Sequence, residues 1–318
     1  MSRANKTKYL KVALYVSRYE EGDVQTPPSL QYLAGYLVGK GLVEAENILY
    51  VDTAEQAIEF RPDILGVGSV SQCIDDAVRM AERIRASALE CWTILGGYHV
   101  SALAEYLPDA FDLGVIGEGE VTLAEIVSLW QRSNTLDPRR LHEIKGICFR
   151  DESGRVVQTV RREPIEDLNG QPLPLRRLPL GQPWPYLFTA RGCPYRCPYC
   201  ASQSFWGGYR FYSAEYVVNE IARMVENFDV TTCYFIDDLF IAPKKRLRAI
   251  RRLLEERGLL GDKLRFKGFV RVNMVDERSS GFLRRSVSSR SDLVWRRPRN
   301  GYSNVLRTIL LRLLKRNP

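Results

Sequence analysis

The chain has 318 residues, 45% of them hydrophobic, which is enough for two domains with cores of their own and excludes a disordered chain. Its formal charge of +8 invites a nucleic-acid partner, but residues 279–318 alone carry nine Arg, one Lys and one Asp, leaving 36 basic against 37 acidic residues in the first 278. A body so nearly neutral gives no electrostatic case for nucleic acid, and with no apolar run of 18 residues and no export-type cleavage site a cytoplasmic protein without a membrane span is expected.

Short apolar runs alternate with helical patterns from residue 9 to about 132. The patterning predicts strands over 9–17, 47–52, 63–71, 92–99 and 112–118, and helices over 29–40, 54–60, 74–87, 102–107 and 121–132. Such alternation with short loops implies an α/β domain: a doubly wound, five-stranded parallel sheet of flavodoxin type, covered on both faces. Paired glycines gather where the strands end: Gly66 and Gly68, Gly96 and Gly97, Gly117 and Gly119. Ligands of open α/β sheets bind beyond these strand ends, and glycine admits close backbone approach. Tight strand-to-helix turns account for the same glycines, since none completes G-x-G-x-x-G.

Residues 133–183 read as a connector: strands over 146–150 and 155–160 flank a turn, and prolines at 164, 172, 174, 179, 183 and 185 argue for an extended linker. A second α/β pattern follows, with strands over 186–190, 232–236 and 265–271 and helices over 214–227 and 244–257. Ser213 is a fitting N-cap for the first of these helices, and Val218, Ile221, Val225 and Phe228 are expected to form its buried face. The predicted organisation is 1–140 as the first domain, 141–183 as hairpin and linker, 184–278 as a partial barrel and 279–318 as an Arg/Ser-rich tail.

Seven cysteines include three within eight residues: Cys193, Cys197 and Cys200, spaced C-x3-C-x2-C. In a reducing compartment this clustering favours a metal over disulfides. Three thiolates leave one iron of a [4Fe–4S] cube open to substrate, and Gly192, Pro194 and Pro198 suit a preset wrapping loop. A zinc site completed by a fourth ligand such as Cys233 is the alternative. Cys73, Cys91, Cys148 and Cys233 are expected in the core.

The cysteine motif, with Tyr199 before its last cysteine, resembles the signature of the radical S-adenosylmethionine superfamily. The segments starting at Thr189 and Ser204, together with Pro27-Pro28-Ser-Leu-Gln-Tyr, Leu95-Gly-Gly-Tyr-His99, Gly117-Glu-Gly-Glu120 and Tyr234-Phe-Ile-Asp-Asp238, resemble the subgroup with an N-terminal cobalamin-binding domain, over about residues 9–277. The resemblance implies an enzyme with a (β/α) barrel behind its first domain. It implies a [4Fe–4S] cluster on Cys193, Cys197 and Cys200, S-adenosylmethionine near Tyr199, Asp237 and Asp238, and cobalamin near Gly96, Gly97, His99, Gly117 and Gly119. It further implies an electron donor such as flavodoxin or ferredoxin, and methyl or other group transfer to a small or lipid-like organic substrate. A cap or turn explains the two aspartates equally well, and a lone histidine after a strand is more often structural. The D-x-H-x-x-G motif that supplies a cobalt-ligating histidine is lacking, so cobalamin binding without a histidine ligand is expected.

Only three barrel strands are predicted, where the family barrel needs about six. Phe235 and Phe269 would then sit on an open inner face, and the tail from residue 279 suggests a frameshifted or truncated product without activity, a genuine phosphate-binding basic tail being the alternative. Two rivals follow. A methylthiotransferase-like enzyme would want further N-terminal cysteines than the isolated Cys73 and Cys91, and a non-catalytic remnant would keep the cofactor domains alone.

Overall fold

The computed structural model describes residues 9–18, 27–178, 185–240, 243–260 and 264–268. The chain divides into two compact units, one of residues 1–176 with 204–207, the other of 177–203 with 208–318. The tail of 279–318, Phe269 and the end of the last predicted strand lie outside the described residues.

In the first unit, β1 (Val12–Val16), β2 (Ile48–Tyr50), β3 (Ile64–Gly68), β4 (Trp92–Gly96) and β5 (Leu113–Val115) form the five parallel strands of one sheet, in the order β2-β1-β3-β4-β5. Side chains alternate between the faces of a strand, and β1 shows the consequence. Val12 and Leu14 face helices α1 (Pro28–Gly39) and α5 (Gly119–Ser133), packing with Leu37, Ile126 and Trp130. Ala13 and Tyr15 face the other way, toward α2 (Ala54–Phe60) and α3 (Ile74–Ala86), packing with Ala57, Ala81 and Ile84. Two apolar half-cores thus sandwich the sheet, as the strand–helix alternation implies. Each wholly buried Leu, Ile or Phe contributes roughly 1.5–3 kcal/mol.

The predicted hairpin is present as β6 (Ile147–Arg150) and β7 (Val156–Gln158), but it is no free connector. β6 pairs antiparallel with β5, carrying the sheet to seven strands. Ile147 and Phe149 complete one half-core, and Cys148 joins the other. Part of the Pro-rich stretch is also tied down: Leu175 N donates to Gln31 O on α1 at 2.9 Å, and Tyr50 Oη donates to Leu175 O at 2.7 Å. Proline density excludes regular structure without excluding packing.

In the second unit, β8 (Tyr186–Leu187), β11 (Thr232–Phe235) and β12 (Arg265–Gly268) form a parallel sheet in the order β12-β11-β8. Helices α7 (Ala214–Phe228) and α8 (Lys244–Glu256) alternate with these strands, the pattern of a partial β/α barrel. Ser213 caps α7 as predicted, its hydroxyl accepting from Tyr216 N at 3.1 Å. The buried stripe of α7 runs through Val217, Val218, Ile221 and Met224, while Val225 and Phe228 are only half-buried. The helix is therefore turned slightly from its predicted face. Phe235, expected on an open inner face, is fully buried, with Phe240 stacked at 4.0 Å and Phe266 at 5.4 Å between centroids.

Candidate cluster and cofactor sites

The cysteine loop leaves the second unit at β9 (Ala190–Arg191) and returns at β10 (Arg210–Phe211), and these two short strands pair antiparallel to close its base. Gly192 starts the excursion at φ +77°, a left-handed backbone that a side chain would strain. Cys193, Cys197 and Cys200 follow, all reduced and half-buried, with Cys200 N donating to Cys197 O at 3.0 Å. Helix α6 (Ser202–Trp206) ends the loop. Just inside it, the Gln203 amide donates to the carbonyls of Cys193 and Tyr195, the latter at 3.1 Å.

The donor set suits an iron–sulfur cluster: three half-buried thiols, none in a disulfide, on one braced loop. Among the described residues no three His, Cys, Asp or Glu side chains converge on a single-ion site. Thiolates of a cube bind different irons and need not share one point. Cys233 is wholly buried within β11, and Cys148 is likewise core. Cys73 is buried in a turn before α3, and Cys91 is half-buried with its thiol pushed up to about 12, chiefly by burial.

The two aspartates after β11 are divided in role. Asp237, expected near S-adenosylmethionine, is 1% exposed and turned into the protein. Its Oδ1 accepts from Thr189 N at 2.6 Å and Ala190 N at 2.9 Å, and its Oδ2 accepts from the Thr189 hydroxyl. These bonds make Asp237 a brace for the strand that leads into the cysteine loop. Burial pushes its carboxyl up to about 6, against the hydrogen bonds from Thr189 and the charge of Arg246. Asp238 is exposed and accepts from the Ser202 hydroxyl. Tyr199, whose backbone was expected against adenine, is 77% exposed.

Sequence reasoning missed Arg246, Thr189, Ser202 and Gln203. Buried Arg246 donates to Thr189 O at 2.9 Å, Thr189 Oγ1 at 2.9 Å and Tyr212 O at 3.3 Å. A signal existed: Arg246 shares the stripe of Leu247, Ile250 and Leu254 that α8 buries. An arginine on an apolar stripe needs buried acceptors.

In the first unit the strand ends offer hydroxyls and backbone. Ser17 Oγ and Ser69 Oγ lie 2.8 Å apart beyond β1 and β3, and Ser101 Oγ accepts from Gly117 N at 2.9 Å. Gly97, at φ +96° and ψ −166°, adopts a region essentially closed to side chains. A Cβ there would also meet Ser69 O at 2.7 Å. Gly96 ends β4, Gly117 has φ +80° with open space beside it, and Gly119 begins α5 against Leu33. Gly117 and Glu118 line a cleft of about 240 Å³. His99 is nearly buried, its Nδ1 3.1 Å from Ser71 Oγ, and burial lowers its pKa. The hydroxyls, peptide groups and glycines present suit a large amide-bearing ligand held without coordination by histidine.

A mostly parallel sheet with such strand ends, followed by a partial β/α unit with a three-cysteine loop, defines a two-unit cofactor protein. A B12-binding domain model matches residues 22–127, and a radical SAM superfamily model matches residues 187–278. The chain thus carries a B12-binding domain ahead of a radical SAM domain. It is 28% identical over 273 residues to an uncharacterized methyltransferase of Pyrococcus horikoshii, covering 81% of this chain and 58% of that protein. It is 29% identical over 226 residues to the anaerobic magnesium-protoporphyrin IX monomethyl ester cyclase of Rubrivivax gelatinosus, covering 64% and 40%. The chain thus spans only about half the length of these relatives. The fold is shared with the radical S-adenosylmethionine methyltransferase TsrM of Kitasatospora setae, solved with cobalamin and a [4Fe–4S] cluster, at TM-score 0.67 and 19% identity over 87% of this chain and 57% of that one. No helix among the described residues is long and apolar enough to cross a membrane.

Proposed function

We propose that this chain is part of a radical S-adenosylmethionine enzyme that holds a [4Fe–4S] cluster on Cys193, Cys197 and Cys200 and cobalamin at the strand ends of its first unit. Its reaction is methyl or other group transfer to a small organic substrate. The observation that carries the reading is the loop of three reduced, half-buried cysteines opening from the second unit, within the segment matched by the radical SAM model. When bound, the reduced cluster supplies the electron that opens S-adenosylmethionine to a 5′-deoxyadenosyl radical, and cobalamin supplies a methyl carrier. The chain's own share is placement. The three thiolates hold three irons, the Gln203 amide ties the loop's carbonyls together, and Asp237 with Arg246 secures the strand before it. A protein such as flavodoxin or ferredoxin is the electron source. Gly117 has open space beside it for the corrin, Gly96, Gly97 and Gly119 shape the neighbouring turns, and His99 stays with Ser71.

The test is anaerobic reconstitution of the full chain, followed by addition of S-adenosylmethionine and a reductant. About four irons per chain are expected, with release of 5′-deoxyadenosine. One equivalent of zinc and no iron would overturn the reading. Iron without 5′-deoxyadenosine would reduce it to a cluster-binding remnant. Cobalamin titration of the same protein should show binding, and none at saturating ligand would leave the first unit as scaffold.

A further inference from the structure

The neighbouring carboxylates Asp237 and Asp238 reach the two opposite ends of the cysteine loop. Asp237 takes the leading end: it accepts both peptide N–H groups of Thr189 and Ala190 and the Thr189 hydroxyl. Ala190 lies three residues before Cys193. Asp238 takes the trailing end: it accepts the hydroxyl of Ser202, two residues after Cys200. The next residue, Gln203, donates back to the carbonyls of Cys193 and Tyr195, so the trailing end is bound to the start of the loop. Arg246 completes the leading end by donating to Thr189 O and Oγ1.

We propose that Asp237 and Asp238 are a pair of positioning residues that clamp both ends of the cysteine loop and so set the spacing of Cys193, Cys197 and Cys200. Two consecutive residues leaving one strand cannot move far apart, so the two loop ends are referred to a single rigid point at the end of β11. The pair acts through hydrogen-bond acceptance. The effect on a cluster rests on the function proposed above; the clamping of the loop does not. Asp237 is deeply buried beside a buried arginine, and its removal endangers the fold. Exposed Asp238 is therefore the more useful handle.

The experiment is amide hydrogen exchange on the full chain without iron, followed by anaerobic iron loading and electron paramagnetic resonance of the reduced cluster. Asp238→Ala should speed exchange across residues 200–203 about tenfold, roughly the protection of one hydrogen bond, with circular dichroism and unfolding midpoint near those of the parent. Its reduced cluster should show shifted g values. Asp238→Asn keeps an acceptor oxygen for Ser202 and should restore both readouts. Asp237→Asn keeps the oxygen that accepts the two peptide groups and should leave exchange at Thr189 and Ala190 near that of the parent. Unchanged exchange in the Asp238→Ala protein overturns the clamp. Faster exchange with an unaltered spectrum overturns its action on the cluster. If the parent chain takes up no iron, the proposed function falls, and the exchange data still decide the clamp.

Discussion

The strand ends of the two units are built from different materials. In the first unit they are made of glycine, serine hydroxyls and peptide groups, and the one histidine there is nearly buried and engaged with Ser71. In the second unit they are made of thiols, carboxylates and a buried arginine. The first is suited to recognise a ligand by shape and by many weak contacts, the second by a few strong bonds to named atoms. The difference predicts how each tolerates substitution: the first should fail by steric filling, the second by loss of single side-chain atoms.

The largest effect belongs to the thiols. Cys193→Ala, Cys197→Ala and Cys200→Ala should each take the reconstituted iron from about four per chain to near none, as measured by iron assay and absorbance. Retention of a full cluster in any one of them would show that a residue outside the motif serves in its place. Cys148→Ala, in the core of the first unit, should leave the iron content unchanged.

The buried carboxylate comes next. Its pKa of about 6 lies above the usual value near 3.8, so the folded protein binds the proton more tightly than the unfolded chain does. Asp237 should accordingly weaken the second unit as pH rises from about 4 to about 6, by roughly 3 kcal/mol at 1.36 kcal/mol per unit. Comparing unfolding midpoints from pH 4 to 7, that fall should be present in the parent and absent in Asp237→Asn. Equal pH slopes would mean that Arg246 keeps the carboxyl ionised throughout.

A smaller effect is expected at Gly97. Gly97→Ala should cost about 1–3 kcal/mol through its backbone conformation alone, and the approach to Ser69 O adds to this. Urea unfolding should show the loss, and cobalamin affinity should fall with it. An unchanged midpoint would mean that the turn between β4 and α4 (Tyr98–Ala102) yields easily.

The smallest effect sharpens the contrast most. His99→Ala should bind cobalamin with an unaltered cobalt absorption spectrum, because His99 is buried and its ring is held by Ser71. A spectral shift would make His99 a ligand and bring the first unit's chemistry closer to the second's.

Much of this was legible in the sequence. Five strands and both faces of the first sheet followed from apolar alternation, because a parallel sheet must be covered on both sides. The cysteine loop was legible for a different reason: its ligands lie within eight residues, so local spacing carries the information. What local spacing cannot carry was misread or missed. β6 and β7 looked like a connector because a hairpin's sequence does not say which sheet edge it joins, and only the pairing of Leu113 with Phe149 decided that. Val225 and Phe228 were assigned to the buried face of α7 because apolar periodicity locates a stripe only to within a fraction of a turn. The sharpest division falls at Asp237 and Asp238. Sequence alone placed two carboxylates at the end of a strand. Their opposite exposures, and their opposite ends of one loop, come from Thr189, Ser202 and Arg246, which lie 48, 36 and 9 positions from Asp237 or Asp238 and meet them only when the chain is folded. A carboxylate's role depends on which donors surround it, and that is decided by tertiary structure.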